Sequence, residues 1–189
     1  MPPLKAAIKA LHARKDKSYG AAWKRRGERI SVLPNIARKV DRLVVYANSQ
    51  LEMRDESLLD TGIDLLVYSG KYLLLLAEID PGLEKKLPLN LPRLPLSDHS
   101  ENFDQLIDDV PFGTADFLAL SELIGAIEAT FETLWPLADK ASTSAQRFEF
   151  AMQLWYQAAR MVGVISGREP QVVAEFIRKE TAENTKGHA

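Results

Sequence analysis

At 189 residues, with 24 basic and 26 acidic side chains, the chain carries a formal net charge of −2 and is long enough to bury a core of its own. It has no cysteine, which excludes disulfides, thiolate metal sites and cysteine nucleophiles, and fits a reducing compartment such as the cytoplasm. The near balance of charge gives no global attraction to nucleic acid or to a membrane surface, although residues 1–42 are basic and residues 98–109 acidic, a pairing that an internal contact explains.

The start, Met1-Pro2-Pro3-Leu4-Lys5, enters an amphipathic pattern without an apolar signal core or a cleavage site, so secretion is not expected. Leu4, Ile8 and Leu11 predict a first helix to about Lys17, stopping before Ser18-Tyr19-Gly20. Ile36, Val40, Leu43, Val44 and Ala47 form the face of a second helix, for which Pro34-Asn35 is the start signal. A third runs from Glu56 to about Asp80, with Asp55 as a cap and Pro81-Gly82 as the stop. Its apolar run, Ile63 to Ile79, approaches membrane-spanning length but contains Asp64, Lys71 and Glu78, and reads as a buried core helix.

Pro88, Pro92 and Pro95 then interrupt a series of leucines and predict an extended strap over residues 83–113. From Thr114, Phe117, Leu120, Leu123, Ile124, Ile127, Phe131 and Leu134 restore the helical period up to Pro136. Thr143-Ser144-Ala145-Gln146 has capping-box spacing for a fifth helix ending at Gly167, and Pro170 opens a sixth. Phe131, Trp135, Phe148, Phe150, Trp155 and Tyr156 are more aromatic bulk than these helices can bury alone, so they pack on the N-terminal half or on a second subunit. The expected architecture is an all-α helical bundle with an N-terminal unit over residues 1–82, the strap, C-terminal helices over residues 114–182 and a frayed tail over residues 183–189.

On the third helix Glu56, Asp60, Asp64 and Tyr68 follow at i+4 spacing, with Lys71 close to the same line. These five occupy roughly a third of the circumference of a helix that is otherwise apolar, with Gly62, Ser69 and Gly70 admitting close neighbours. Carboxylates one turn apart repel, by about 0.2–0.5 kcal/mol per pair. A Mg²⁺ ion would compensate, since it takes one or two carboxylates and fills its other positions with water and phosphate oxygens. Lys39 and Arg42, an i, i+3 pair on the second helix, are the basic groups best placed for such phosphates. The alternative is a plain solvated face with Lys71 paired to Asp64 or Tyr68. A solvated stripe faces bulk water, whereas a site faces a cleft and meets Lys39, Arg42 or Tyr19 across it.

Taken in order, Lys15-Asp16-Lys17-Ser18-Tyr19-Gly20, Trp23, Arg38-Lys39-Val40-Asp41-Arg42, Asp55-Glu56-Ser57, Asp60-Thr61, Asp64-Leu65 and Tyr68 resemble the phage and bacterial helical domain described as nucleotide-modification-associated. That domain resembles in turn the MazG-like all-α nucleoside triphosphate pyrophosphohydrolases. The similarity spans roughly residues 8–78 and none of the C-terminal half. It implies a MazG-like N-terminal half in which Asp60, Asp64 and Glu56 are the catalytic residues and hold Mg²⁺, and Lys39 and Arg42 neutralise phosphate charge. It implies further that Tyr19 or Trp23 stacks on a base beside Tyr68, and that the protein is a homo-oligomer, a dimer. One departure stands out: the MazG-like pattern takes two carboxylates, Glu-x-x-Glu, from the preceding helix, where this chain has Arg38, Lys39, Asp41 and Arg42.

Nothing matches a phosphate-binding glycine loop, a dinucleotide fingerprint, a zinc-protease helix or a nucleophile elbow. His12, His99 and His188 are scattered and receive no role. Lys24-Arg25-Arg26 points around a helix without an aromatic platform, so it reads as a solvated or internally paired cluster and not as a nucleic-acid site. The expected function is Mg²⁺-dependent binding, extending to pyrophosphohydrolysis, of a nucleoside triphosphate or related nucleotide. The rival is a non-catalytic helical interaction or scaffold protein.

Overall fold

The structure, a computed structural model, describes residues 1–49, 57–89, 99–113 and 120–186. Among them there is no strand, and helices pack together as an all-α bundle. Helix α1 (Pro2–Tyr19) begins on a proline, whose fixed φ and missing N–H suit a first turn. It turns Leu4, Ala7, Ile8 and Leu11 inward and ends at Gly20, where φ is +48°. A 3₁₀ turn (Gly20–Trp23) and a π-turn (Glu28–Val32) lead into α2 (Leu33–Ser49), which buries Ile36, Val40 and Leu43. Pro34 and Asn35 lie in the first turn of α2, and the Asn35 amide donates back to the Ser31 carbonyl at 2.6 Å.

Helix α3 (Leu58–Ile79) is the axis of the bundle. Ser57, and not Asp55, caps it: the Ser57 hydroxyl accepts from the Asp60 N–H at 3.0 Å while the Asp60 carboxylate accepts from the Ser57 N–H and hydroxyl. Asp55 and Glu56 lie outside the described residues. Between Leu58 and Ala77 every residue is buried except Asp60, Asp64 and Tyr68. The polar stripe is therefore the one break in an apolar helix, as its spacing predicts. Neither α3 nor any other helix among the described residues is long and apolar enough to cross a membrane.

A 3₁₀ turn (Pro81–Lys86) follows, and then the structure departs from the expected strap. Residues 99–109 form helix α4 (His99–Asp109), which buries Phe103, Leu106 and Ile107. The prolines that suggested an extended segment end at Pro95, and the next, Pro111, comes only after the helix has ended. Helix α5 (Leu120–Leu134) precedes two short 3₁₀ turns, α6 (Ser144–Arg168) and α7 (Pro170–Lys186). Thr114 and Phe117, expected at the start of α5, lie outside the described residues. Thr143 does precede α6 but makes no cap, because its hydroxyl hydrogen-bonds with the carbonyl oxygens of Leu137 and Lys140 at 2.8 Å each.

The C-terminal helices complete the core of the N-terminal half. Helix α6 lies along α3, α5 packs on α2 and α6, and α7 packs on α1. Glycines set the α3–α6 approach: a Cβ at Gly70 would stand 3.2 Å from the Trp155 indole nitrogen and 3.4 Å from the Phe103 ring. Gly62 likewise faces Met161 and Val162. Phe131, Phe148 and Trp155 are buried within the chain, Trp155 completely. Under the π-turn, buried Glu28 pairs with Arg147, also buried, and accepts from the Tyr72 hydroxyl and the Asp139 N–H at 3.2 Å each. All the partners of this carboxylate are internal, and it ties the 28–32 turn to α3 and α6.

Candidate functional site

Along the solvent side of α1 and α3 two helical faces oppose each other. His12, Lys15, Asp16 and Tyr19 recur at i, i+3, i+4 and i+7 on α1, and Asp64, Val67, Tyr68 and Lys71 do the same on α3. They line one cavity of about 490 Å³, closed at the end of α1 by the Gly20–Trp23 turn and, from the entry to α2, by Ile30, Ser31 and Asn35. Asp64, Tyr68 and Lys71 of the α3 stripe thus face a cleft, and Asp60 does not.

Asp64 is the centre of its charge. The carboxylate is 15% exposed; Lys15 of α1 meets one oxygen at 2.9 Å and Lys39 of α2 the other at 2.7 Å. Burial pushes its pKa upward, but the hydrogen bonds and charges of Lys39 and Lys15 outweigh that and hold it below the ordinary value. Lys71 does not pair with Asp64 or Tyr68; it crosses to Asp16 at 3.3 Å and lies 5.0 Å from the centroid of the Trp23 ring. Burial lowers its pKa, Asp16 works against that shift, and Lys15 adds to it. Lys24, at the end of the 3₁₀ turn, pairs with Glu78 of α3 at 2.7 Å, so the basic run is at least partly engaged internally.

Of the residues expected in a site, Asp64, Tyr68, Tyr19 and Trp23 line the cleft, and Lys39 reaches it through Asp64. Tyr19 is exposed at the mouth, and Trp23 is half-buried against the core. Asp60 belongs to the α3 cap one turn away, and Arg42 is exposed on α2; neither lines the cavity. Glu56 lies outside the described residues. His12, Lys15, Asp16 and Lys71 complete the constellation. The first of these was assigned no role, although Leu4, Ile8 and His12 at i+4 spacing already put it on the inward face of α1.

Asp60, Asp64 and Glu56 are also the groups that would hold Mg²⁺. The arrangement described does not fit a resident ion, because both oxygens of Asp64 are taken by ammonium groups and the Asp60 carboxylate serves Ser57. No group of three or more His, Asp or Glu side chains among the described residues is arranged to hold a metal. The cleft instead offers lysine ammonium groups held by carboxylates, Lys39 and Lys71 largely shielded from water and Lys15 exposed, beside three aromatic rings. Such groups suit an anion that can displace a carboxylate from a lysine.

No family model matches the chain, and no solved structure matches it. Over 80 residues it is 31% identical to the Gene 30 protein of Bacillus phage SP01. The match covers 41% of this chain and 36% of the phage protein, so the chain spans about a third of the length of that relative.

Proposed function

We propose that the α1–α3 cleft binds a phosphorylated nucleotide, with phosphate oxygens on Lys15, Lys39 and Lys71 and the base against Tyr19, Trp23 or Tyr68. The observation that carries this reading is Asp64, which faces the cleft while clamped by Lys15 and Lys39. A phosphate brings three acceptor oxygens and more negative charge than a carboxylate, so it competes for the same ammonium groups. Stacking on an aromatic ring adds about 1–3 kcal/mol per base. The resemblance of residues 8–78 to the nucleotide-modification-associated and MazG-like domains supports the same ligand class. A phage protein as a relative is compatible with it. Mg²⁺ belongs to this reading as an ion carried in by a di- or triphosphate, which satisfies it with its own oxygens. Pyrophosphohydrolysis and a dimeric state are the further expectations of the resemblance.

The test is thermal unfolding of the full chain with a panel of nucleoside mono- and triphosphates, with and without Mg²⁺, in the wild type, Lys39→Met and Asp64→Asn. Ligand at a hundred times its dissociation constant adds about 2.7 kcal/mol of stability. The expected result is stabilisation by one nucleotide, lost in Lys39→Met and kept or increased without metal in Asp64→Asn, where a competing carboxylate has gone. Stabilisation that needs Mg²⁺ and disappears in Asp64→Asn would assign Asp64 to the metal instead and call for a pyrophosphate-release assay. No stabilisation by any nucleotide in either condition overturns the reading and leaves the scaffold function.

A further inference from the structure

At the inner end of the same cleft is a group that the charge pairs do not use. His12 is 2% exposed, lines the cavity, and stacks on Phe103 of α4 with ring centroids 3.9 Å apart and planes at 27°. No protein group hydrogen-bonds to either of its ring nitrogens. Among the buried polar side chains of α3, the Tyr72 hydroxyl has Glu28 and the Ser69 hydroxyl has the carbonyls of Leu65 and Leu66, while the Thr61 hydroxyl, like the His12 ring, has no partner. A neutral imidazole carries one N–H donor and one acceptor, and burying both unpaired is costly. Stacking fixes the plane of the ring, so the donor points in a set direction.

We propose that the inner end of the cleft, where His12, Lys15 and Lys71 line the same cavity, is a phosphate-binding subsite in which the His12 ring donates a hydrogen bond to a phosphoryl oxygen. The inference rests on the reading of the cleft as a nucleotide site and says which end of the nucleotide goes inward. Lys71 reaches the subsite held by Asp16 and the Trp23 face, and Lys15 reaches it from Asp64. The aromatic mouth, with Tyr19 exposed, is left for the base. A carboxylate ligand lacks the third oxygen needed to meet two ammonium groups and the imidazole together.

Binding there also changes the charge felt by His12. Burial comes first in holding the ring neutral, with a pKa lowered to about 4, and the charges of Lys71 and Lys15 add to it while Asp16 opposes them. Phe103, which covers the other face of the ring, carries no charge. A phosphate dianion offsets both lysines, so the imidazolium is less disfavoured and the bound ligand raises the titration midpoint of His12.

The experiment uses ¹⁵N-labelled full-length protein and long-range ¹H–¹⁵N spectra of its imidazoles, titrated with inorganic pyrophosphate, with a nucleoside monophosphate and with the matching nucleoside. Pyrophosphate and the monophosphate are expected to move the His12 ring nitrogens and raise the midpoint, and the nucleoside is not. His12→Phe should weaken pyrophosphate binding by about tenfold or more, the scale of a hydrogen bond to a charged group. His12→Asn, which keeps a neutral N–H donor, should recover part of that loss, and circular dichroism checks that both variants fold. Phosphate compounds that stabilise the protein while His12 stays unmoved and His12→Phe binds as wild type overturn the subsite and leave the cleft reading intact. No binding of any anion or nucleotide overturns both.

Discussion

Helix α3 has two working sides that differ in kind. Toward α6 it is dry and close, with Gly62 and Gly70 letting Met161 and Trp155 sit where side chains would otherwise stand. Toward α1 it is open and charged, and Asp64, Tyr68 and Lys71 face Lys15, Asp16 and His12 across about 490 Å³ of cavity. The same twenty-two residues therefore supply both a close-packed contact and one wall of an open cleft. The difference teaches where stability resides. Close-packed surface carries the fold, and the cleft can hold strained or unpaired groups because the opposite face secures the helix.

Trp155→Ala is the sharpest way to break this comparison. The indole is wholly buried against Gly70, and removing it should cost about 4 kcal/mol in urea unfolding. Tyr68→Ala, on the cleft side of α3 and only partly buried against the core, should cost less, about 1–2 kcal/mol. A Tyr68 variant as unstable as the Trp155 one would show that the cleft wall is also a structural seam.

His12 supplies the next largest effect, and it is confined to acid. Its folded pKa lies near 4, below the ordinary 6.5, so between those values the unfolded chain binds a proton that the folded chain does not. Stability from the neutral ring is fully present above about pH 6.5 and is lost as the pH falls toward 4, by roughly 3 kcal/mol over the interval. Urea unfolding at pH 7 and pH 4.5 should show a smaller acid loss in His12→Phe than in the wild type. Equal losses in the two proteins would mean that the ring titrates normally and is open to solvent.

Much of the fold was legible because helical periodicity reports burial. The stripe at Asp60, Asp64 and Tyr68 follows from i+4 spacing alone, and the glycines of α3 were readable as points of close approach. Helix α4 was not read, because three prolines upstream outweighed Phe103, Leu106, Ile107 and Val110, whose i, i+3, i+4, i+7 spacing is a complete helical face. The site was half legible for a different reason. Periodicity places a residue on a face but does not name its partner: the solvated-face alternative pairs Lys71 with Asp64 or Tyr68 of its own helix, whereas it reaches Asp16, 55 positions away. Asp60 was counted with Asp64, yet Ser57-x-x-Asp60 is a capping-box spacing and accounts for it locally.

The unevenness of charge along the chain leads to the smallest effect. Basic α1 does meet acidic α4: Lys9 pairs with Asp108 at 2.7 Å, and Lys5 donates to the Asp108 carbonyl at 2.6 Å. Asp108 is 54% exposed, so the pair is screened by water and salt and should contribute less than about 1 kcal/mol. A double-mutant cycle with Lys9→Met and Asp108→Asn should give a small coupling at low salt that vanishes at 1 M salt. Phe103, Leu106 and Ile107, all fully buried, would then be what fixes α4 to α1 and α3, and with it the ring that orients His12. A coupling that persisted in high salt would instead make the charged contact part of the support of the cleft, and the division between a packed side and a polar side of α3 would no longer describe how α4 is held.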